Sequence, residues 1–236
     1  MSRSVRKKTV VAIPVLHGSW VSWIPQVAML QDIAEFRFAD TACSHDSIAA
    51  MAEAILEDSP DSFCSAGYSM GGYVALEVMR QAPQCVERLA LISTSARGPI
   101  PNEAQLREPA RRLVENGRLD QLVDRASDGA HPERAGDPFI LQARILAAQV
   151  AGSEMILKRS EAVLRRVDSR PYLSAISCPT LVICGADDKI CPPDLSKEIA
   201  DGIEGARLTL LERCGHFILY EQAARLADEL WAWLDM

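Results

Sequence analysis

The segment Gly67–Gly71 (GYSMG) carries the clearest chemical signal in the sequence. It follows the apolar run Phe63–Tyr68, which predicts a buried strand, and it opens the helical pattern Met70–Gln81. A Gly-x-Ser-x-Gly motif between a strand and a helix is typical of a nucleophile elbow, a sharp turn that exposes a serine hydroxyl. Ser69 is therefore a candidate nucleophile, although an ordinary tight turn between strand and helix has the same pattern.

A serine hydroxyl is a poor nucleophile unless a base removes its proton and an acid orients that base. His216 follows one predicted strand, and Asp187 and Asp188 follow another. Because parallel strands end at one edge of a sheet, we expect these side chains near Ser69. The residues themselves leave open which aspartate faces the histidine.

A turn after the first predicted strand, Leu16–Ser19, is a candidate oxyanion loop. Backbone N–H groups there, together with the N–H of Met70, stabilise a negative charge on a carbonyl oxygen. We expect the N–H of Ser19, next to Gly18, to be the first donor. Trp20 either lines the substrate pocket or packs at the edge of the sheet.

Apolar runs of strand length alternate with helical patterns over most of the chain. This alternation predicts a parallel sheet with helices on both faces. The predicted strands are Val10–Leu16, Phe36–Ala39, Phe63–Tyr68, Val86–Ser93, Thr180–Cys184 and Arg207–Leu211. The predicted helices are Asp46–Glu57, Met70–Gln81, Pro193–Asp201 and Phe217–Leu234.

The alternation stops over residues 96–170, where no run reads as a strand. Loose helical spacing predicts three or four short helices inserted after the fourth strand, with residues 9–95 and 171–236 forming the core; a pair of long crossover helices stays open as the alternative. We expect the insert to set substrate choice rather than to supply the chemistry. Its candidates for a pocket-facing surface are Leu141, Ile145, Met155 and Ile156.

With these motifs in order, the chain resembles the α/β-hydrolase superfamily, in particular its small esterases and lactonases. The resemblance runs from Val10 to the C-terminal helix and excludes the insert. It implies an α/β-hydrolase fold of about six mostly parallel strands flanked by helices, with a helical cap after the fourth. In this family the acid falls three residues after the glycine that ends its strand, which favours Asp188. The motifs are Leu16–Gly18, Gly67–Gly72, Cys178–Thr180, Gly185–Asp188, Pro192–Pro193 and Cys214–His216.

The expected function is hydrolysis of a small carboxylic ester, lactone or thioester by Ser69, Asp188 and His216, with no metal or cofactor. The same three residues serve C–C bond hydrolysis, elimination or acyl transfer in a fold that hosts many reactions. A protein that only binds a small ligand is the remaining alternative. Ser69 itself argues against the branches of this fold that use an aspartate nucleophile.

Composition limits the partners and the compartment. The chain has 236 residues, of which 48% are hydrophobic and 24% charged, so it is expected to fold. Its 25 Lys and Arg against 32 Asp and Glu give a net charge of −7, which disfavours nucleic acid as a partner. Seven scattered cysteines without a Cys-x-x-Cys pair, and a basic N-terminus (Met1–Lys8) without an apolar stretch, favour the cytoplasm. No contiguous apolar run has membrane-spanning length, so we expect no membrane partner; the oligomeric state is not predicted.

Overall fold

One sheet of six parallel strands forms the centre of the molecule in the computed structural model, which describes residues 7–235. Most of the basic segment Met1–Lys8 lies outside the described residues. The strand order is β2-β1-β3-β4-β5-β6, and every pairing is parallel, as predicted. The strands are β1 (Lys8–Ile13), β2 (Ala34–Phe38), β3 (Phe63–Tyr68), β4 (Val86–Ile92), β5 (Thr180–Gly185) and β6 (Arg207–Leu211).

Helices cover both faces of this sheet. Helices α2, α3 and α7 pack on one face, and α1, α8 and α9 pack on the other. The helices of these two layers are α1 (Ile24–Leu30), α2 (Ile48–Asp58), α3 (Met70–Gln81), α7 (Pro193–Gly202), α8 (Ile218–Glu221) and α9 (Ala223–Asp235).

Strand β1 shows why the central strands are apolar on both sides. Val11 and Ile13 belong to the core under α2 and α3, while Val10 and Ala12 belong to the core under α1 and α9. Successive side chains of a strand point to opposite faces, and here both faces are covered. The result is a continuous apolar run rather than an alternating one.

The end of β1 differs from the prediction. The apolar run was expected to be a strand as far as Leu16, but the strand ends at Ile13. Pro14 has no backbone N–H, so it cannot continue the hydrogen-bond ladder of a strand paired on both sides. Val15 and Leu16 consequently belong to the loop that follows β1, which changes the residues that this loop presents to the site.

Three helices lie between β4 and β5, namely α4 (Glu103–Glu115), α5 (Leu119–Arg125) and α6 (Pro138–Leu164). Helix α6 has 27 residues and is interrupted at Gly152, where φ is 77°. We refer to residues 96–170 as the helical insert. Four positions of the insert were expected to face a pocket, namely Leu141, Ile145, Met155 and Ile156. They pack instead against α4 and α5 in a small core of the insert.

Helix α6 is long and apolar enough, by length and composition, to span a bilayer, with a window of mean hydropathy 1.2. The sequence expectation concerned contiguous apolar runs, and α6 contains none of membrane-spanning length. The helix reaches this hydropathy through alanine, leucine and isoleucine spread over many turns. Several of these side chains pack against the helices α4 and α5.

We predict that Gly185→Ala destabilises the fold by about 1–3 kcal/mol, the usual cost of overpacking. A Cβ atom at Gly185 would lie 2.2 Å from the carbonyl oxygen of Cys214, and backbone cannot yield as a flexible side chain does. The control is Gly136→Ala, because a Cβ atom there meets nothing within 4 Å. Urea unfolding of both variants measures the difference, and equal midpoints would contradict the prediction.

Candidate active site

A cavity of about 200 Å³ opens at the carboxyl edge of the sheet. Its walls come from the loops after β1, β3, β5 and β6, and from all three helices of the insert. Strands β1 and β3 are neighbours although β2 lies between them in sequence, so the strand order reverses here. Open parallel sheets hold ligands at such a reversal.

Ser69 sits at the turn between β3 and α3 with φ 55° and ψ −113°. A positive φ at a serine costs about 1–3 kcal/mol, which the surrounding structure has to offset. The Ser69 N–H donates to the carbonyl of Ile92 (2.9 Å), and Thr94 Oγ1 donates to the Ser69 carbonyl (2.7 Å). The turn also requires glycine, since a Cβ atom on Gly67 would lie 2.3 Å from the carbonyl oxygen of Gly71.

Ser69, His216 and Asp188 form a continuous chain of contacts at the cavity wall. The Nε2 atom of His216 lies 3.0 Å from Ser69 Oγ, and its Nδ1 atom lies 2.8 Å from Asp188 Oδ2. His216 and Asp188 are each 3% exposed. This arrangement allows the imidazole to take a proton from the hydroxyl while a buried carboxylate faces its other nitrogen.

The two adjacent aspartates occupy different environments. Asp188 Oδ1 accepts the N–H groups of Ile190 (2.9 Å) and Cys191 (2.8 Å), which leaves Oδ2 directed at His216. Asp187 is a surface residue with a side chain 45% exposed. Of the two candidates, the structure therefore brings only Asp188 to the histidine.

The loop that carries His216 is held by contacts that the sequence pattern does not identify. The His216 N–H donates to the carbonyl of Gly129 in the insert (2.7 Å). Glu221, 6% exposed, accepts the N–H groups of Gly215 and Phe217, each at 2.9 Å. The sequence offered one signal for this role of Glu221, namely its position directly after the apolar stretch Phe217–Tyr220. A carboxylate next to buried residues is either exposed to solvent or buried together with hydrogen-bond donors.

The cavity wall contains the first half of the expected oxyanion loop, Leu16–Ser19, and not the half that was expected to supply the donor. Gly18, Ser19 and Trp20 do not line the cavity, whereas Val15, Leu16 and His17 do. The cause is the early end of β1, which brings the residues directly after Pro14 to the elbow. Expectations for Gly18 and Ser19 as donors at the site are therefore wrong, and the Gly18 N–H donates instead to the Val15 carbonyl.

Trp20 also lies outside the cavity. Its indole ring packs against Phe38, with ring centroids 5.8 Å apart, and the residue is 42% exposed. Its backbone N–H donates to both carboxylate oxygens of Asp40, each at 3.1 Å. Of the two alternatives for Trp20, packing at the edge of the sheet is the correct one. The hydrogen bonds from its backbone N–H to Asp40 hold the residue beside β2, where Phe38 lies.

Several backbone N–H groups remain available on the cavity wall. Within residues 7–235, the N–H groups of Leu16 and Met70, like those of Val15 and His17, have no hydrogen-bond acceptor. All four residues line the cavity. Met70 opens helix α3, so its N–H also lies at the positive end of the helix dipole.

Arg159 of α6 connects the insert to the loop after β1. The residue is fully buried, and its guanidinium donates to the carbonyls of Gly18 (2.5 Å), Cys43 (2.9 Å) and Val15 (3.3 Å). Burial lowers the pKa of this guanidinium, with Asp40 3.8 Å away as a partial counter-charge. An arginine at this helix position carries no sequence signal, since its carbonyl partners lie more than 100 residues away.

His17 lines the cavity but contacts neither Ser69 nor Asp188. Burial, and after it coulombic repulsion from Arg107, Arg144 and Arg159, lowers its pKa from the ordinary value of 6.5 to about 3. His17 is therefore neutral at physiological pH, because burial and the nearby arginines disfavour a further positive charge in the cavity.

Metal coordination has no candidate residues in the described part of the chain. Across residues 7–235, no three His, Cys, Asp or Glu side chains come together in a way that could hold a metal ion. The chemistry of this cavity is therefore described from its serine, histidine, carboxylate and arginine side chains.

Comparison with known proteins gives consistent matches. The hydrolase of 2-hydroxy-6-oxononadienedioate and 2-hydroxy-6-oxononatrienedioate from Paraburkholderia xenovorans is 28% identical over 165 residues, covering 67% of this chain and 57% of that protein. The RutD protein of Rhizobium rhizogenes is 26% identical over 234 residues, covering 89% of this chain and 86% of that protein. The solved enol-lactonase from Burkholderia xenovorans LB400 has the same fold, with a TM-score of 0.84, 21% identity, and coverage of 100% of this chain and 94% of that one.

The family assignment follows from a match along nearly the whole chain. The model of the alpha/beta hydrolase family matches residues 15–229, which include every strand after β1 and the complete insert. The segments that carry Ser69, Asp188 and His216 all lie within that range. The chain therefore belongs to the alpha/beta hydrolase family of enzymes.

Proposed function

We propose that this protein is a serine hydrolase that cleaves a small carboxylic ester, lactone or thioester through an acyl-enzyme on Ser69. The observation that carries the proposal is the contact chain from Ser69 Oγ through His216 to Asp188, at 3.0 and 2.8 Å. Ser69 and His216 line the cavity at the carboxyl edge of the sheet, and Asp188 lies behind His216. The strained elbow supports the same role, because strain of this kind is concentrated at functional sites.

In the first step, Ser69 Oγ attacks the carbonyl carbon while His216 Nε2 takes the hydroxyl proton. The electron pair of the carbonyl bond moves to oxygen and gives a tetrahedral oxyanion. Asp188 stabilises the imidazolium formed at His216 and keeps its Nδ1–H directed at the carboxylate.

The oxyanion is stabilised by the N–H groups of Leu16 and Met70. Support for this pair comes from their free donors and from their position on the cavity wall. Leu16 thus takes the place that the sequence pattern predicts for Ser19. Fixed donors in a site shielded from water supply a large part of the rate enhancement in acyl transfer.

Collapse of the tetrahedral intermediate breaks the bond from the acyl carbon to the leaving oxygen or sulfur. The imidazolium of His216 donates its proton to that leaving atom, and Ser69 keeps the acyl group. His216, neutral again, then takes a proton from water as the water oxygen attacks the acyl carbon. A second collapse releases the acid and returns the proton to Ser69.

The helical insert acts in this proposal as a lid over the acyl pocket. Leu122, Val123, Ala147 and Val163 line the cavity from the insert, and their apolar surfaces exclude water. Exclusion of water strengthens the hydrogen bonds to the oxyanion. We therefore propose that these four residues, rather than the buried positions around Leu141, set the size of the substrate.

Hydrolysis of a C–C bond is the second candidate, and the name of the Paraburkholderia xenovorans relative favours it. The name of the Rhizobium rhizogenes relative proposes carbamate hydrolysis instead. All of these reactions place a carbonyl carbon next to a nucleophile and an oxyanion site. We rank the ester class first because its leaving group needs no activation beyond the proton from His216.

We propose a small-molecule substrate and a cytoplasmic location for this enzyme. The seven cysteines are all unpaired, and five of them are buried. Disulfides form in oxidising compartments, so a chain with seven free thiols suits a reducing one. The acidic balance of −7 supports a partner other than nucleic acid.

We predict that Ser69→Ala lowers ester turnover by about 10⁴-fold or more, the usual cost of losing this nucleophile. An uncharged fluorophosphonate labels the wild type and fails to label this variant, as read by intact mass. The control is Ser93→Ala, which replaces a second buried serine with positive φ that lies outside the cavity. Turnover of Ser69→Ala within tenfold of wild type would refute the assignment.

We predict that Asp188→Asn lowers kcat by about 10²-fold or more, whereas Asp187→Asn leaves it near wild type. The amide introduced by Asp188→Asn has no negative charge to stabilise the imidazolium of His216, whereas the Asp187 side chain is 45% exposed and its carboxylate lies 3.8 Å from His131 rather than at His216. Steady-state kinetics on one ester separate the two variants. The opposite ranking would assign the acid to Asp187.

We predict that acid destabilises the protein partly through His17. Since its pKa falls to about 3 on folding, the unfolded chain binds a proton below pH 6.5 that the folded chain does not. Between pH 6.5 and 3 the free energy of unfolding therefore decreases by about 1 kcal/mol per pH unit from this group. Urea unfolding over this pH range should give a shallower decline for His17→Gln than for wild type. Parallel slopes for His17→Gln and wild type would contradict the prediction.

A further inference from the structure

Arg144 places a cation in the cavity wall. It belongs to α6, and its guanidinium carbon lies 3.5 Å from the centroid of the Phe217 ring. Phe217 in turn packs edge-on against His216, with ring centroids 5.8 Å apart. The cation is thus one aromatic ring away from the imidazole that contacts Ser69.

Arg144 differs from the other arginines near the cavity in its partners. Arg107 forms an ion pair with Glu103 (2.7 Å), and Arg159 is engaged by backbone carbonyls. Arg144 donates one hydrogen bond, to the carbonyl of Val123 (3.0 Å). Over residues 7–235, no carboxylate lies within ion-pair distance of its guanidinium.

The nearby acids do not serve as a counter-ion for Arg144. Glu221 and Asp124 act on it through space, but Glu221 already accepts three backbone N–H groups. Burial dominates over these charges and lowers the pKa of Arg144 to about 10. A partly buried cation without a counter-ion is costly, so an anionic ligand that enters the cavity gains electrostatic stabilisation from Arg144.

A second donor faces the same part of the cavity. Tyr220 is 8% exposed and lines the cavity. The hydroxyl of Ser22, another residue of the cavity wall, acts on the Tyr220 hydroxyl as a hydrogen-bond donor, whereas the phenolic O–H itself has no acceptor among the described residues. Buried polar groups are nearly always hydrogen-bonded, so an O–H without an acceptor in a cavity wall indicates a ligand group.

The geometry points to a carboxylate subsite formed by Arg144 and the hydroxyl of Tyr220. We infer that the preferred substrates are esters, lactones or thioesters that carry a free carboxylate in addition to the reacting carbonyl. This inference rests on the proposed function of the same cavity. A planar guanidinium with unused N–H groups matches the two oxygens of one carboxylate, and apolar walls strengthen the interaction.

The test uses two pairs of esters in which an isopropyl group replaces the carboxylate. Monomethyl glutarate is paired with methyl 5-methylhexanoate, which places the charge on the acyl side. The acetate ester of 4-hydroxybutanoate is paired with 4-methylpentyl acetate, which places it on the alcohol side. The readout is the ratio of kcat/KM for the charged and neutral members of each pair.

For at least one pair we expect the wild type to favour the charged ester and Arg144→Gln to lower the ratio by about 10- to 100-fold, the worth of a charge-assisted hydrogen bond. Tyr220→Phe lowers it less, and Arg144→Lys keeps part of it. The matched control Arg107→Gln removes a cavity arginine that already has a carboxylate partner, and leaves the ratio unchanged. Circular dichroism checks each fold, and Tyr220→Phe keeps the test decisive if Arg144→Gln does not fold.

An equal loss on both members of each pair, the same fall in Arg107→Gln, or no charged preference in the wild type would overturn the subsite. If the wild type cleaves neither pair and Ser69 is not labelled by fluorophosphonate, the proposed function fails instead. Calorimetric titration with glutarate then decides the subsite separately. Binding at least about tenfold tighter to wild type than to Arg144→Gln supports it, and equal binding refutes it.

Discussion

The close approach of the nucleophile turn to the end of β1 is the constraint on which the rest of the site depends. A Cβ atom on Gly71 would lie 2.4 Å from the carbonyl oxygen of Ile13, so helix α3 begins in direct contact with the first strand. Only glycine permits this approach. It brings Ser69 and the loop of Leu16 to one point of the sheet, and it does so where the strand order reverses. Asp188, which follows β5, and His216, which follows β6, complete the site around that point.

The helical insert is part of this arrangement as well as a cover for it. Its Gly129 carbonyl accepts the N–H of His216, and its Arg159 binds the carbonyls of Val15 and Gly18. The expectation that the insert affects only substrate choice is therefore too narrow. An insert that moved as a rigid lid would have to break these buried hydrogen bonds, and each broken bond leaves a desolvated polar group. The same helices therefore line the cavity and hold the loops of Leu16 and His216.

Charge in the cavity is distributed unevenly. The negative charge of Asp188 is used by His216 and two backbone N–H groups, and that of Glu221 by the loop around Gly215. The positive charge of Arg144 has no such partner within the described residues, and it helps to keep His17 neutral. In surroundings of low dielectric constant this imbalance acts on any ligand that enters. The proposed carboxylate subsite would make the cavity selective by electrostatics as well as by size.

The sequence by itself determined the elements whose signals are local. The period of the apolar runs predicted six parallel strands, and the motif around Ser69 predicted the elbow between β3 and α3 with its boundaries. Because parallel strands end at one edge of the sheet, the sequence also predicted that Asp188 and His216 lie near Ser69. The choice of Asp188 over Asp187, however, came from the family resemblance. Tertiary structure alone decided which residues of the loop after β1 line the cavity, the single long helix α6, and the contacts of Arg159 and Glu221. Arg159 and Gly18 are 141 positions apart, and no local pattern encodes a contact that depends on how a loop and a helix pack together.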